Sequence, residues 1–346
     1  MNEMKDVMPR VLRDMDEGII VLDNTGTIIF FNERGQQLLE KDPSCIGQKF
    51  VVSFFDDNED GNNDKFNQFI LDAVYDKEHS HSGSAPFYSE DGECKIFQLT
   101  SSFLKNEVGK ENIGVVVVFS DITEIENLNQ QRRESSVIFA VLMICVCGYL
   151  FFYSFLKYIN IELEPWVMSK IIEAISILMF IIILKKTSFS LKDIGLKITD
   201  YKATFMPNII ITVVATAALV ILKLIILKAA PSFFPEGAPF WDWSVISISD
   251  FVYPFTVILQ EFLARGVMQE NLMRIFTGKH RGALSIIVSS LVFGALHIAY
   301  GLPLMLGASL LLGALGILYY KQGTMWGLCI VHFFLGEVAS FLRYLY

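Results

Sequence analysis

The chain has 346 residues, 53% of them hydrophobic and only 19% charged, with a formal net charge of −9. This excludes intrinsic disorder, which needs low hydrophobicity and high charge, and excludes one ordinary soluble globule. The charge is also divided: residues up to Ser136 carry 13 Lys+Arg against 26 Asp+Glu, and the 210 residues that follow carry 15 against 11, so an acidic front part without nucleic-acid chemistry precedes an apolar one.

Met1–Asp16 is charged and lacks the apolar core of a secretory leader, which predicts a cytoplasmic N-terminal part. Gly18–Leu22 and Thr27–Phe31 are strand-like runs around the turn cluster Asp23–Gly26, a hairpin pattern. Asn32–Glu40 reads as a short helix with Asn32 as N-cap. Asp56–Asp64 is acidic and rich in Gly and Asn, a surface loop. Lys65–Tyr75 has Phe66, Phe69, Ile70 and Val74 at helical spacing. Strand-like runs follow at Gly83–Tyr88, Lys95–Leu104 and Gly114–Phe119, with turns at Asp91-Gly92 and Val108–Asn112. The five cysteines, Cys45, Cys94, Cys145, Cys147 and Cys329, have no paired spacing, so neither a disulfide framework nor a zinc ribbon is expected.

This order, with Gly18–Asp23, the Gly26 turn, Phe31-Asn32, Ile46-Gly47 and Asp121-Ile122-Thr123, resembles a PAS domain over residues 8–125. The resemblance implies an α+β sensor domain whose Asp-x-Thr ends the last strand and starts a signalling helix, with Asp121 or Thr123 capping it. What it senses stays open. An unknown small ligand inside the domain is one reading, and a ligand-free interaction or dimerisation module is the other. Cys45 lacks the sequence context of photoreactive flavin domains and reads as a structural thiol; His79 and His81 sit in a polar run and read as solvated rather than haem-ligating. The linker helix, 121–136, carries a short apolar stripe (Ile122, Ile125, Leu128) that suits either a homodimer contact or a plain spacer.

From residue 137 to 346 the pattern predicts an all-α polytopic membrane domain of about seven transmembrane helices: 137–159, 166–184, 204–227, 249–272, 283–299, 302–320 and 324–345. Lys185, Lys186, Lys192, Lys197 and Lys202 follow span 2, and Arg274, Lys279 and Arg281 follow span 4, whereas Ala229–Ser244 has no Lys or Arg but holds Glu236 and Asp242. This predicts a multi-pass protein of the cell membrane with a cytosolic N-terminus and an external C-terminus. Lys170, Glu173 and Lys223 suit interfacial positions with snorkelling stems, and Asp250 suits a helix cap.

Four ionisable residues sit in apolar surroundings, where they are costly and therefore candidates for function: Glu261, Arg265, His297 and His332. Glu261 and Arg265 are four apart and can pair on one helix face, a structural ion pair. Counting from the shared cytosolic turn at about 1.5 Å per residue, Gln260 and His297 reach one level at roughly 22–24 Å, while His332 reaches only roughly 12 Å.

Gln260-Glu-Phe-Leu-Ala-Arg-Gly266, Phe293-Gly-Ala-Leu-His297 and the region ending in His332 resemble, in order, the three motifs of the CAAX-protease and bacteriocin-processing (CPBP, or Abi) membrane proteins, over residues 245–340. The resemblance implies an intramembrane endopeptidase acting on a membrane-bound or lipidated peptide, without a cofactor in the membrane domain. In the family the first motif glutamate and the second motif histidine activate water, and the third motif His and Asn steady the oxyanion. Catalytic candidates are thus Glu261, His297, His332 and the degenerate position Gln260. Gly336 stands at the oxyanion asparagine. Gln260 cannot serve as a carboxylate base, and Gly336 offers no donor. Glu261 is a substitute base about 100° round the helix, and Glu337 points away from His332's face. Glu261, His297 and His332 could instead form a His₂Glu zinc site, although no local ligand pair supports a metal. Two functions stand: a PAS-gated endopeptidase, or a non-catalytic receptor or scaffold for a peptide or lipidated partner. A solute pathway lacks the broken-helix pairs that mark one.

Overall fold

The computed structural model describes residues 12, 15–55, 62–76, 78–106, 111–198, 200–234, 237 and 239–344. The chain divides into two compact units, 1–129 and 130–346.

In the first unit the strands are β1 (Gly18–Asp23), β2 (Ile28–Phe31), β3 (Ser82–Tyr88), β4 (Cys94–Lys105) and β5 (Asn112–Asp121). They form one antiparallel sheet in the order β2-β1-β5-β4-β3. Its helices are α1 (Glu33–Leu39), α2 (Phe50–Phe55) and α3 (Asp64–Tyr75). Alternation sets the buried face: Ile20 and Leu22 on β1, Val115, Val117 and Phe119 on β5, and Phe97 and Leu99 on β4 all point inward. Phe66 of α3 meets Phe87, Phe97 and Phe119 edge-on at centroid distances of 5.2, 5.9 and 6.0 Å. Rings prefer this arrangement, and each buried ring contributes about 1.5–3 kcal/mol.

Asn32 is the N-cap of α1. Its Oδ1 accepts from Gly35 N (2.9 Å) and from Ile19 N (2.8 Å), and its Nδ2 donates to Glu17 O. The helix α2 and a 3₁₀ turn at Pro43–Cys45 are additions to the expected pattern. Part of the acidic stretch (56–61), the 107–110 part of the last turn and most of Met1–Asp16 lie outside the described residues.

The second unit is helical. α4 (Thr123–Tyr158) fuses the expected linker and first span into one 36-residue helix. At its start Asp121 Oδ1 accepts from Thr123 N, while Thr123 Oγ1 accepts from Ile96 N. Ile125 and Leu128 are exposed on this helix. Next come α5 (Pro165–Lys186), α6 (Tyr201–Ala229), α7 (Ile248–Glu261), a π-helical segment (Phe262–Gln269), α8 (Glu270–Ile275), α9 (Arg281–Ala295), α10 (Leu302–Gln322) and α11 (Trp326–Phe341).

Among the described residues four helices, α4, α5, α6 and α10, are long and apolar enough to cross a membrane, not the expected seven. α9 and α11 have 15 and 16 residues, short of the ~20 that a bilayer core requires. The expected span 249–272 is not one α-helix, because the π segment interrupts it: Glu270 N donates to Arg265 O, five residues back. Lys223 also departs from expectation. It is 1% exposed, and instead of snorkelling it donates to Pro239 O (3.2 Å) and Phe240 O (2.7 Å) beneath the rings of Phe234 and Phe240. Lys170 pairs with Glu173 at 2.7 Å, and Glu173 also accepts from Thr256 Oγ1. Asp250 closes a capping box with Ser247. Asp242 binds Arg343 and Ser244, whose hydrogen bonds hold its carboxyl below the usual range; Glu236 lies outside the described residues.

The segment 187–198 ties several helices of this unit together. Ser188 N and Oγ donate to Glu134 of α4, and Arg274 at the end of α8 donates to Asp193 O. Gly195 O accepts from Met325 N, and Leu196 O accepts from Trp326 Nε1 at the start of α11.

Candidate functional site

The π segment places the site. Its eight residues, Phe262–Gln269, are all buried, packed among α5, α9 and α10. Glu261, Arg265 and Gln269 form a line, each 0% exposed. Arg265 Nε donates to Glu261 Oε2 (3.1 Å), Nη1 to Gln269 Oε1 (2.8 Å) and Nη2 to Leu312 O (2.8 Å). Gln269 Nε2 in turn donates to Gly316 O at 3.0 Å. Gly316 is required for this crossing: a Cβ there would stand 2.9 Å from Arg265 Nη1 and 3.2 Å from Gln269 Oε1.

The other carboxylate oxygen, Glu261 Oε1, meets His332 Nδ1 at 2.6 Å. A carboxylate accepts, so Nδ1 carries the proton and donates in this bond. His332 is on α11, which packs against α7. Met325, just before α11, is fully buried.

His297 follows the end of α9 and is half-buried. Its Nδ1 lies 3.0 Å from Phe293 O. A carbonyl can only accept, so here too Nδ1 holds the proton and Nε2 is free to take one. Tyr149 Oη donates to Leu296 O at 2.8 Å and fixes the turn that carries His297.

Glu261, Arg265 and His332 are thus brought into direct contact, while Gln260 and His297 are not bonded to that set. Gln260 is 8% exposed, and among the described residues its amide has no hydrogen-bond partner. The zinc alternative finds no support in this geometry. Both oxygens of Glu261 are engaged, and among the described residues no three ligating side chains come together. Glu337 lies beside Gly336 and makes no contact with His332 among the described residues.

Position 336 is not vacant space. A Cβ on Gly336 would stand 2.2 Å from Tyr253 Oη and 2.9 Å from its Cζ. The Tyr253 ring packs on Phe333 at 5.8 Å. Among the described residues the Tyr253 hydroxyl has no hydrogen-bond partner. Tyr253 and Gln269 were not singled out in the sequence. Gln269 stands at i+4 from Arg265 and i+8 from Glu261, a polar repeat on an apolar face. Tyr253, seven residues before Gln260, gave no signal distinguishable from core packing.

In the first unit, Cys45 is buried, and burial pushes its thiol up. His79 and His81 both face Asp76, at 3.4 and 3.3 Å, and hydrogen bonds from the backbone of Glu78 and His79 hold that carboxyl below the usual range.

Residues 16–124 match the family model of the PAS domain, and residues 242–336 match that of the type II CAAX prenyl endopeptidase Rce1-like family. No curated protein matches the chain. Among solved structures, a PAS domain of a Colwellia psychrerythraea protein is 17% identical, over 35% of this chain and 98% of that one (TM-score 0.28). The PAS domain of an HTR-like protein from Haloarcula marismortui is 20% identical over 35% and 93% (0.27). The PAS domain of Bordetella pertussis BvgS is 15% identical over 36% and 91% (0.30).

Proposed function

From the premise that the chain joins a PAS domain to an Rce1-like, CAAX-protease (CPBP) domain carrying apolar helices that suit a bilayer, we propose that it is a PAS-regulated intramembrane endopeptidase whose base is the Glu261–His332 pair. One observation carries this reading: Glu261 gives one oxygen to Arg265 and the other, at 2.6 Å, to His332 Nδ1. A carboxylate on Nδ1 fixes the imidazole tautomer and stabilises the imidazolium formed when Nε2 takes a proton. The reaction then needs no carboxylate at position 260. His332 Nε2 takes a proton from water, and the hydroxide adds to the scissile carbonyl. The C–N bond breaks, and His332 returns the proton to the leaving amine. His297 Nε2, freed by the Nδ1 bond to Phe293 O, accepts the second hydrogen of the water and orients it.

The interrupted stretch 248–275, α9 and α11 complete a seven-helix bundle, the PAS domain is cytoplasmic, and the substrate is a membrane-bound or lipidated peptide that reaches the site through the bilayer. Pairing of the PAS domain and the exposed Ile125–Leu128 stripe of α4 with a second copy suits a sensor that reports by helix movement. The sensor ligand is an unidentified small molecule or none.

Gln260 favours a second reading, a binding protein without turnover. The experiment compares new protein N-termini, proteome-wide, in native cells expressing wild type, His332→Ala or His297→Ala at equal level. Termini lost in both variants support the endopeptidase. No histidine-dependent terminus, with all three proteins folded in the membrane, supports the binding protein.

A further inference from the structure

We propose that the Tyr253 hydroxyl is the donor to the oxyanion, filling the place left by the missing side chain at position 336. This rests on the endopeptidase reading. Gly336 is four residues after His332, so it lies one turn along α11 on the face that presents His332 to Glu261. That face must supply a donor next to the attacked carbonyl, and glycine has none. The missing Cβ instead admits a phenol from α7: Tyr253 Oη stands 2.2 Å from where the Cβ would be, closer than any real carbon would permit.

The phenol suits the task. Its O–H donates, and among the described residues nothing takes that donation. Its ring is held by Phe333, so the donor is placed before substrate arrives. Tyr253 and Glu261 share α7, and Gly336 and His332 share α11, two helices that pack against each other. A fixed donor aimed at developing negative charge is typically worth about 10²–10³ in rate. Glycine at 336 and tyrosine at 253 are therefore one substitution in two parts, and neither is a simple loss.

The test uses the purified full chain in lipid nanodiscs and two probes, a farnesylated tetrapeptide amide and its phosphinate analogue, whose tetrahedral anionic oxygen imitates the intermediate. Tyr253→Phe keeps the ring packed on Phe333. The expected result is a fall of about 10²–10³ in kcat at unchanged KM, with a similar loss of phosphinate affinity and none of amide affinity. A role in packing alone would move both probes together.

Gly336→Asn alone should be inactive, because its Cβ meets the phenol. Tyr253→Ala/Gly336→Asn should recover at least about tenfold over Tyr253→Ala, since an amide then occupies the donor position. If wild type cleaves and Tyr253→Phe cleaves equally well, the assignment is overturned and the endopeptidase stands. If wild type does not cleave but prefers the phosphinate through Tyr253, the anion site stands and the endopeptidase falls. If wild type shows neither, both fall.

Discussion

Replacing Arg265 by alanine is the sharpest probe of the buried cluster. Arg265 and Glu261 are both fully buried, and three donors of the guanidinium are spent on Glu261, Gln269 and Leu312 O. Truncation leaves a carboxylate with His332 as its remaining partner and Gln269 Oε1 without its donor, while Leu312 O keeps the amide bond of its own helix. Removing one partner of a buried pair costs about 3–5 kcal/mol, and the orphaned acceptor adds about 1–3. Summed, this overshoots, because Glu261 can escape by taking up a proton, so the expected loss is about 3–5 kcal/mol. Arg265→Lys should lose nearly as much, because an ammonium cannot fork to three partners in fixed planar geometry. The assay is equilibrium unfolding of the full chain in mixed micelles, run as a double-mutant cycle with Glu261→Gln. A coupling of at least about 1 kcal/mol is expected for residues in contact. A loss below about 1 kcal/mol for Arg265→Ala, or strictly additive single losses, would refute the reasoning.

Three further outcomes follow from the rest of the molecule. Asn32→Ala removes the acceptor for both Ile19 N and Gly35 N and should cost about 1–3 kcal/mol, read as faster hydrogen exchange at those two amides; unchanged exchange would contradict the shared cap. Burial raises the Cys45 thiol, so less thiolate is present at neutral pH: iodoacetamide should label exposed Cys94 first, and Cys45 labelling should climb as pH rises, with mass spectrometry reporting both. Lys223→Met removes the two donations that tie α6 to Pro239 and Phe240, so limited proteolysis should cut the 230–242 connection faster; equal rates would show that the ring contacts suffice.

The PAS sheet was legible because its strands alternate with period two and are punctuated by Gly and Asp turns. Asn32, followed by a short amphipathic run, announced its own cap. The pair Glu261–Arg265 was legible because spacing of four is a local property. The contact of Glu261 with His332 was not, since it joins residues 71 positions apart and depends on where α11 begins, which Met325 and the 187–198 segment decide. The π segment escaped because hydrophobic periodicity averages over one extra residue. Tyr253 against Gly336 escaped because a glycine reads as an absence, and the side chain that fills it lies on another helix. Lys223 was expected to reach water with its stem, and here carbonyls of the chain take water's place.

A π turn holds one residue more than the α turn it replaces, with the flanking helices in their original phase. Shortening Phe262–Gln269 by one residue would let the segment relax into α geometry while α7 and α8 keep their faces. Straightening it with all eight residues retained would swing α7 by about 100°, turning Glu261 away from His332 and Tyr253 away from Gly336. The fold cannot iron this turn out without losing the contacts of the site: the register of the whole site is stored in a single surplus residue.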